Sequence, residues 1–73
     1  MEQNVIIGKR ILEVRKERRL SQQTLAFSIG VTQKSIDFWE KGINEPKASY
    51  IANLAKFFGV SIDFLVGLEE NNK

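Results

Sequence analysis

The side chains best equipped for chemistry in this sequence lie between positions 33 and 41. Gln33, Lys34, Asp37, Phe38 and Lys41 recur at helical spacing, so one helix face offers an amide, ammonium groups, a carboxylate and an aromatic ring. An amide bonds adenine through N6 and N7, an ammonium reaches guanine O6 or N7, a carboxylate accepts from cytosine N4, and an apolar ring presses on a thymine methyl. Catalytic chemistry has far less to work with. The chain holds no cysteine and no histidine. It has no glycine-rich phosphate loop and no carboxylate pair at a spacing suited to acid–base work. Any Ser, Lys or Asp nucleophile would lack an activating base. The expectation is a chain that is not an enzyme and calls for no cofactor or metal.

A reading face of that kind must be held rigidly, and the residues before it show how. QQTLAFSIGVTQKSIDFWEK, Gln22 to Lys41, has the form of two short helices joined by a tight turn. Ser21 and Thr32 are placed as N-caps, since their hydroxyl oxygens accept backbone N–H groups left over at a helix start. Gly30 sits at the turn, where it reaches positive φ without steric cost. Leu25, Ala26, Ile29, Val31, Ile36 and Trp39 fall where two crossing helices must face each other. Ala26 is small where they approach most closely. Trp39 reads as core rather than as a base-stacking residue.

The flanking segments supply the rest of an all-α domain. Ile7, Ile11 and Val14, with Leu20 beyond, predict a first helix from about Val5 to Arg18. Gly42 ends the third helix and Pro46 blocks its continuation. Ile51, Leu54, Ala55 and Phe58 recur at i, i+3, i+4 and i+7 and predict a helix from about Ala48 to Phe58, ended by Gly59. Ser61 caps a fifth helix carrying Ile62, Phe64 and Leu65, with Asp63 in its first turn near the positive end of the helix dipole. The expected layout is one five-helix domain over residues 1–68 and a polar tail over 69–73.

Size and charge narrow the function classes. At 73 residues the chain is one small domain, and such domains bury only about 60% of their unfolded surface. Without disulfides, stability must come from helix packing, caps and dimerisation. No apolar run is long enough to span a membrane. MEQNVIIGKR lacks the apolar core of a signal peptide, so a cytoplasmic location is expected. The net charge is +2, unevenly placed. In residues 1–20, Lys9, Arg10, Arg15, Lys16, Arg18 and Arg19 outnumber Glu2, Glu13 and Glu17 by three. In residues 21–46, Lys34 and Lys41 are outnumbered by Asp37, Glu40 and Glu45 by one. The segment best suited to reading bases is therefore not itself basic.

The chain closely resembles the helix-turn-helix regulators of the XRE family, which includes the phage Cro- and cI-type repressors. LSQQTLA, the SIGVT turn, SIDFWEKG, the EP that follows and FFGVSIDFL all match family landmarks, over roughly residues 8 to 67. The resemblance implies the compact five-helix, lambda-repressor-like fold, with the second and third helices forming the helix-turn-helix. It implies a sequence-specific transcriptional regulator, most often a repressor, that reads a palindromic double-stranded DNA operator through the major groove as a homodimer. Gln33, Lys34, Asp37 and Phe38 would contact bases. Arg10, Gln22, Ser35, Lys41, Asn44 and Lys47 would contact the backbone, with Lys47 replacing a Ser or Thr cap. Arg15 and Glu40 would form an ion pair bracing the recognition helix and removing Glu40 from the charge balance of the reading segment. Phe64, Leu65 and Leu68 would form the dimer surface. Asp37 and Phe38 depart from the neutral or basic residues common in relatives. The other reading of the same fold is a protein-interaction module with weak DNA binding, working through Phe38, Phe64 or Leu68. No membrane or small-molecule partner is evident. The length fits either a minimal regulator or the DNA-binding piece of a longer repressor.

Overall fold

The computed structural model describes residues 3–68. The polar tail expected over residues 69–73 lies outside them. Five α-helices follow in order: α1 (Gln3–Glu17), α2 (Gln22–Ile29), α3 (Gln33–Glu40), α4 (Ala48–Phe58) and α5 (Ile62–Leu65). The expected caps are made. Ser21 Oγ accepts from Thr24 N at 2.9 Å, Thr32 Oγ1 from Ser35 N at 3.1 Å and Ser61 Oγ from Phe64 N at 2.9 Å. Lys47 occupies the N-cap of α4 and makes no side-chain cap bond.

α1 begins two residues earlier than its apolar spacing suggests, for a tertiary reason. Gln3 Nε2 donates to the Val66 carbonyl beside the end of α5. Asn4 Nδ2 donates to the Gly42 carbonyl at 2.7 Å, tying the first turn to the loop after α3. Neither bond is visible in local periodicity.

The helix ends share one device. In each, a residue just past the last turn takes positive φ, and its own N–H and that of the next residue bond back into the helix in the paired pattern of a Schellman motif. Gly30, Gly42, Gly59 and Gly67 occupy that position for α2 to α5, whereas α1 uses Arg19 at φ 57°. Its bonds are intact, Leu20 N to Arg15 O at 3.1 Å and Arg19 N to Lys16 O at 3.0 Å. A side chain in this conformation costs about 1–2 kcal/mol relative to glycine.

The core gathers Ile7, Ile11 and Val14 of α1, Leu25 and Ala26 of α2, Ile36 and Trp39 of α3, Ile51, Leu54, Ala55 and Phe58 of α4, and Leu65 of α5. Trp39 is buried, with its ring tilted 40° against Tyr50 at 5.6 Å between centroids. Leu65 is 0% exposed, which corrects its assignment to a dimer surface. A residue wholly enclosed by its own core has no area to offer a second chain. Phe64 is half-buried under the Arg10 guanidinium, 4.6 Å from its centroid, while Leu68 is 75% exposed.

α3 packs mainly against α1 and α2. The approach to α1 is set by Gly8, where a Cβ would meet the Trp39 carbonyl oxygen at 2.0 Å. The obstacle is backbone, so it cannot rotate aside. Gly8→Ala is expected to force α1 and α3 apart and lower the unfolding free energy by about 2 kcal/mol, overpacking outweighing the gain in helix propensity. Urea denaturation checks this, and a variant as stable as the parent would contradict the close approach.

Candidate nucleic-acid interface

The outward side of α3 is organised by a chain of hydrogen bonds that starts inside the fold. Arg15 Nε donates to Glu40 Oε2 at 2.6 Å and Nη2 to Glu40 Oε1 at 2.9 Å. Its remaining Nη1 donates to the Leu20 carbonyl at 2.8 Å. The pair is largely shielded, with the side chains 12% and 4% exposed. This geometry is the two-pronged guanidinium–carboxylate fit that gives both strength and fixed orientation. The Glu40 bond raises the Arg15 pKa against the opposing effect of burial.

Gln22 extends the chain from α2 to the surface of α3. Its Nε2 donates to Glu40 Oε1 at 2.9 Å and to Asp37 Oδ1 at 3.2 Å. Its Oε1 accepts from Gln33 Nε2 at 3.3 Å. Asp37 is held from the other side by Lys41, whose Nζ lies 2.9 Å from Oδ2 one helical turn on. Lys41 first and Gln22 second hold the Asp37 carboxyl below the usual carboxylate range. It therefore stays ionised at neutral pH. The stability it lends is present above the ordinary carboxylate pKa and fades as pH falls through the lowered value. Lys34 Nζ lies over the Phe38 ring at 5.5 Å from its centroid. Ser35 is half-buried, its hydroxyl 3.1 Å from the Thr32 hydroxyl.

Gln22, Gln33, Asp37 and Lys41 are thus brought into one bonded group, with Lys34 and Phe38 paired beside it. Asn44 and Lys47 are exposed along and after the loop that leaves α3. Arg10 lies apart from this group, its guanidinium over the Phe64 ring of α5. The same geometry alters the electrostatics. Glu40 is matched by Arg15 and Asp37 by Lys41, leaving Lys34 against Glu45 in residues 21–46. Sequence reasoning missed the internal role of Gln22, which joins three residues of α3. Gln22 and Glu40 are 18 positions apart, and no local pattern signals their meeting.

Comparison with known proteins places this geometry in context. The helix-turn-helix family model matches residues 11–65. The cryptic phage CTXphi transcriptional repressor RstR of Vibrio cholerae is 39% identical over 67 residues, covering 92% of this chain and 60% of its own length. The chain spans about 60% of the length of the first curated relatives it matches. Among solved structures, the P22 c2 repressor in complex with synthetic operator 9T superposes with a TM-score of 0.82 at 30% identity, over 88% of this chain and 97% of that one. The restriction-modification controller protein C.AhdI of Aeromonas hydrophila gives 0.78 at 31% identity, over 85% and 94%.

Removing Glu40 tests the brace directly. Glu40→Ala leaves the Arg15 guanidinium shielded without its carboxylate and is expected to cost about 3 kcal/mol in denaturant unfolding. A loss below about 0.5 kcal/mol, the range of ordinary surface substitutions, would show that the pair braces nothing.

Proposed function

The chain belongs to the XRE-type helix-turn-helix family, and from that premise we propose that it reads double-stranded DNA as the sequence-specific part of a transcriptional regulator, acting as a repressor. The observation that carries the reading is the bonded face of α3, where Gln33 and Asp37 are both fixed through Gln22 to the Arg15–Glu40 pair. Side chains oriented before binding lose less entropy on meeting a base edge. Insertion of α3 into the major groove presents Gln33, Lys34, Asp37 and Phe38 to bases, the helix start leading. On this reading Gln22, Ser35, Lys41, Asn44 and Lys47 take phosphates, the α2 N-terminus adding its free amides at Gln22.

The near-neutral charge of the reading segment is compatible with this function. Its carboxylates at positions 37 and 40 are neutralised within the fold, so a phosphate backbone meets ammonium and amide groups rather than unpaired negative charge. A palindromic operator follows from two-fold pairing, with recognition helices about 34 Å apart in successive grooves. Of the residues first assigned to a dimer surface, exposed Leu68 and half-buried Phe64 remain available for it.

A second reading, a protein-interaction module, is favoured by one observation: Phe27 of α2 is 88% exposed. Selection from a randomised duplex pool separates the two. The DNA reading expects one enriched palindrome, bound at least about a thousandfold tighter than scrambled duplex, with affinity falling as salt rises. Gln33→Ala is then expected to relax preference at one base position by about 1–3 kcal/mol, and Lys34→Ala to weaken binding. No enrichment, with weak binding indifferent to Lys34→Ala, gives the interaction module the lead.

A further inference from the structure

Among the described residues, Arg19 holds the one C-terminal cap whose backbone conformation disfavours its side chain. The equivalent residue of α2, α3, α4 and α5 is glycine at φ between 71° and 88°, and Arg19 adopts φ 57° in the same paired hydrogen-bond pattern. A residue kept in that region against its own preference points to a use for the side chain. The fold makes none of it. Arg19 is exposed, and its guanidinium makes no hydrogen bond or ion pair among the described residues.

The neighbouring Arg18 shows what an arginine used by the fold looks like here. Its Nη2 donates to the Phe58 carbonyl at 2.7 Å, and its guanidinium lies 5.9 Å from the Phe58 ring centroid. Arg19 instead stands two residues before Ser21, the N-cap of α2, and three before Gln22. Three residues span at most about 11 Å of chain, so the Arg19 Cα lies within that distance of the Gln22 Cα. The bond between Gln22 and Gln33 sets this end of α2 beside the start of α3.

We propose that Arg19 binds a backbone phosphate of double-stranded DNA just outside the one taken at Gln22, and that the strained cap is retained for that contact. The inference rests on the DNA reading above. A flexible, permanently charged side chain three residues before Gln22 suits a phosphate rather than a base edge. The contact therefore adds affinity and salt dependence without adding sequence preference.

The test is Arg19→Gly, with Arg19→Asn as a second neutral variant that tolerates positive φ. Arg19→Lys keeps the charge, and Lys56→Ala removes a charge on α4, whose side chain lies near the opposite end of α2. Each is titrated with the selected duplex and with scrambled duplex at several salt concentrations, and each is melted. Arg19→Gly is expected to raise Tm by about 4–16 °C. Arg19→Gly and Arg19→Asn are expected to weaken binding to both duplexes roughly fourfold, leave their ratio unchanged, and reduce the log–log salt slope by about 0.9. Arg19→Lys should stay within about twofold of the parent. A lower Tm for Arg19→Gly, unchanged affinity, a loss no larger than that of Lys56→Ala, or an unchanged salt slope each overturns the proposal. If the parent binds duplex with sequence preference and the Arg19 variants match it, only this inference falls. If the parent binds no duplex, the DNA reading falls with it.

Discussion

The guanidinium of Arg15 holds three parts of the chain at once. From α1 it grips both oxygens of Glu40 at the end of α3, and with its remaining prong it takes the carbonyl of Leu20 in the turn before α2. Burying these charges costs solvation, and the cost is offset only because both partners are fully bonded and closely aligned. The geometry therefore tolerates little displacement. α3 is pinned at its C-terminal end by the ion pair and by the close approach of Gly8 to the Trp39 carbonyl. It is pinned at its N-terminal end through Gln33 and Gln22. A helix fixed at both ends presents its outer side chains in one register, as the proposed reading of adjacent base pairs requires.

The same network resolves a conflict in the composition. A helix entering a groove lined by phosphates gains from positive charge, yet Gln22 to Lys41 contains as many carboxylates as ammonium groups. Glu40 spends its charge inside the fold on Arg15, and Asp37 spends much of its on Lys41 and Gln22. Asp37 remains an acceptor oriented along the outer face. On the proposed DNA reading, an acidic residue held in this way disfavours an acceptor-bearing base edge opposite it and favours a donor such as cytosine N4.

Small size explains why so much of the chain is given to helix ends. A domain of this length has little core to draw on, and α2 and α3 have eight residues each, too few to be stable in isolation. Side-chain caps at Ser21, Thr32 and Ser61 and paired backbone bonds at the C-termini satisfy polar groups that would otherwise remain unbonded at the surface. Two end positions depart from the preferred chemistry, Lys47 at an N-cap and Arg19 at a C-cap. Both place a cation where a capping residue is preferred.

The sequence alone determined the helix count, the bounds of α4 and the caps of α2, α3 and α5, because these depend on apolar spacing and on single residues acting within a few positions of themselves. It also placed Trp39 in the core, since Ile36 and Trp39 share the face opposite Lys34 and Asp37. The early start of α1 was not legible, because bonds from Gln3 and Asn4 to residues 63 and 38 positions away hold that turn. Only the tertiary structure enclosed Leu65, laid Arg10 over Phe64 and gave Gln22 its place between Glu40, Asp37 and Gln33. Each depends on which side of a helix meets which neighbour. Periodicity fixes the stripe that faces inward, and the crossing of the helices decides what each side chain meets there.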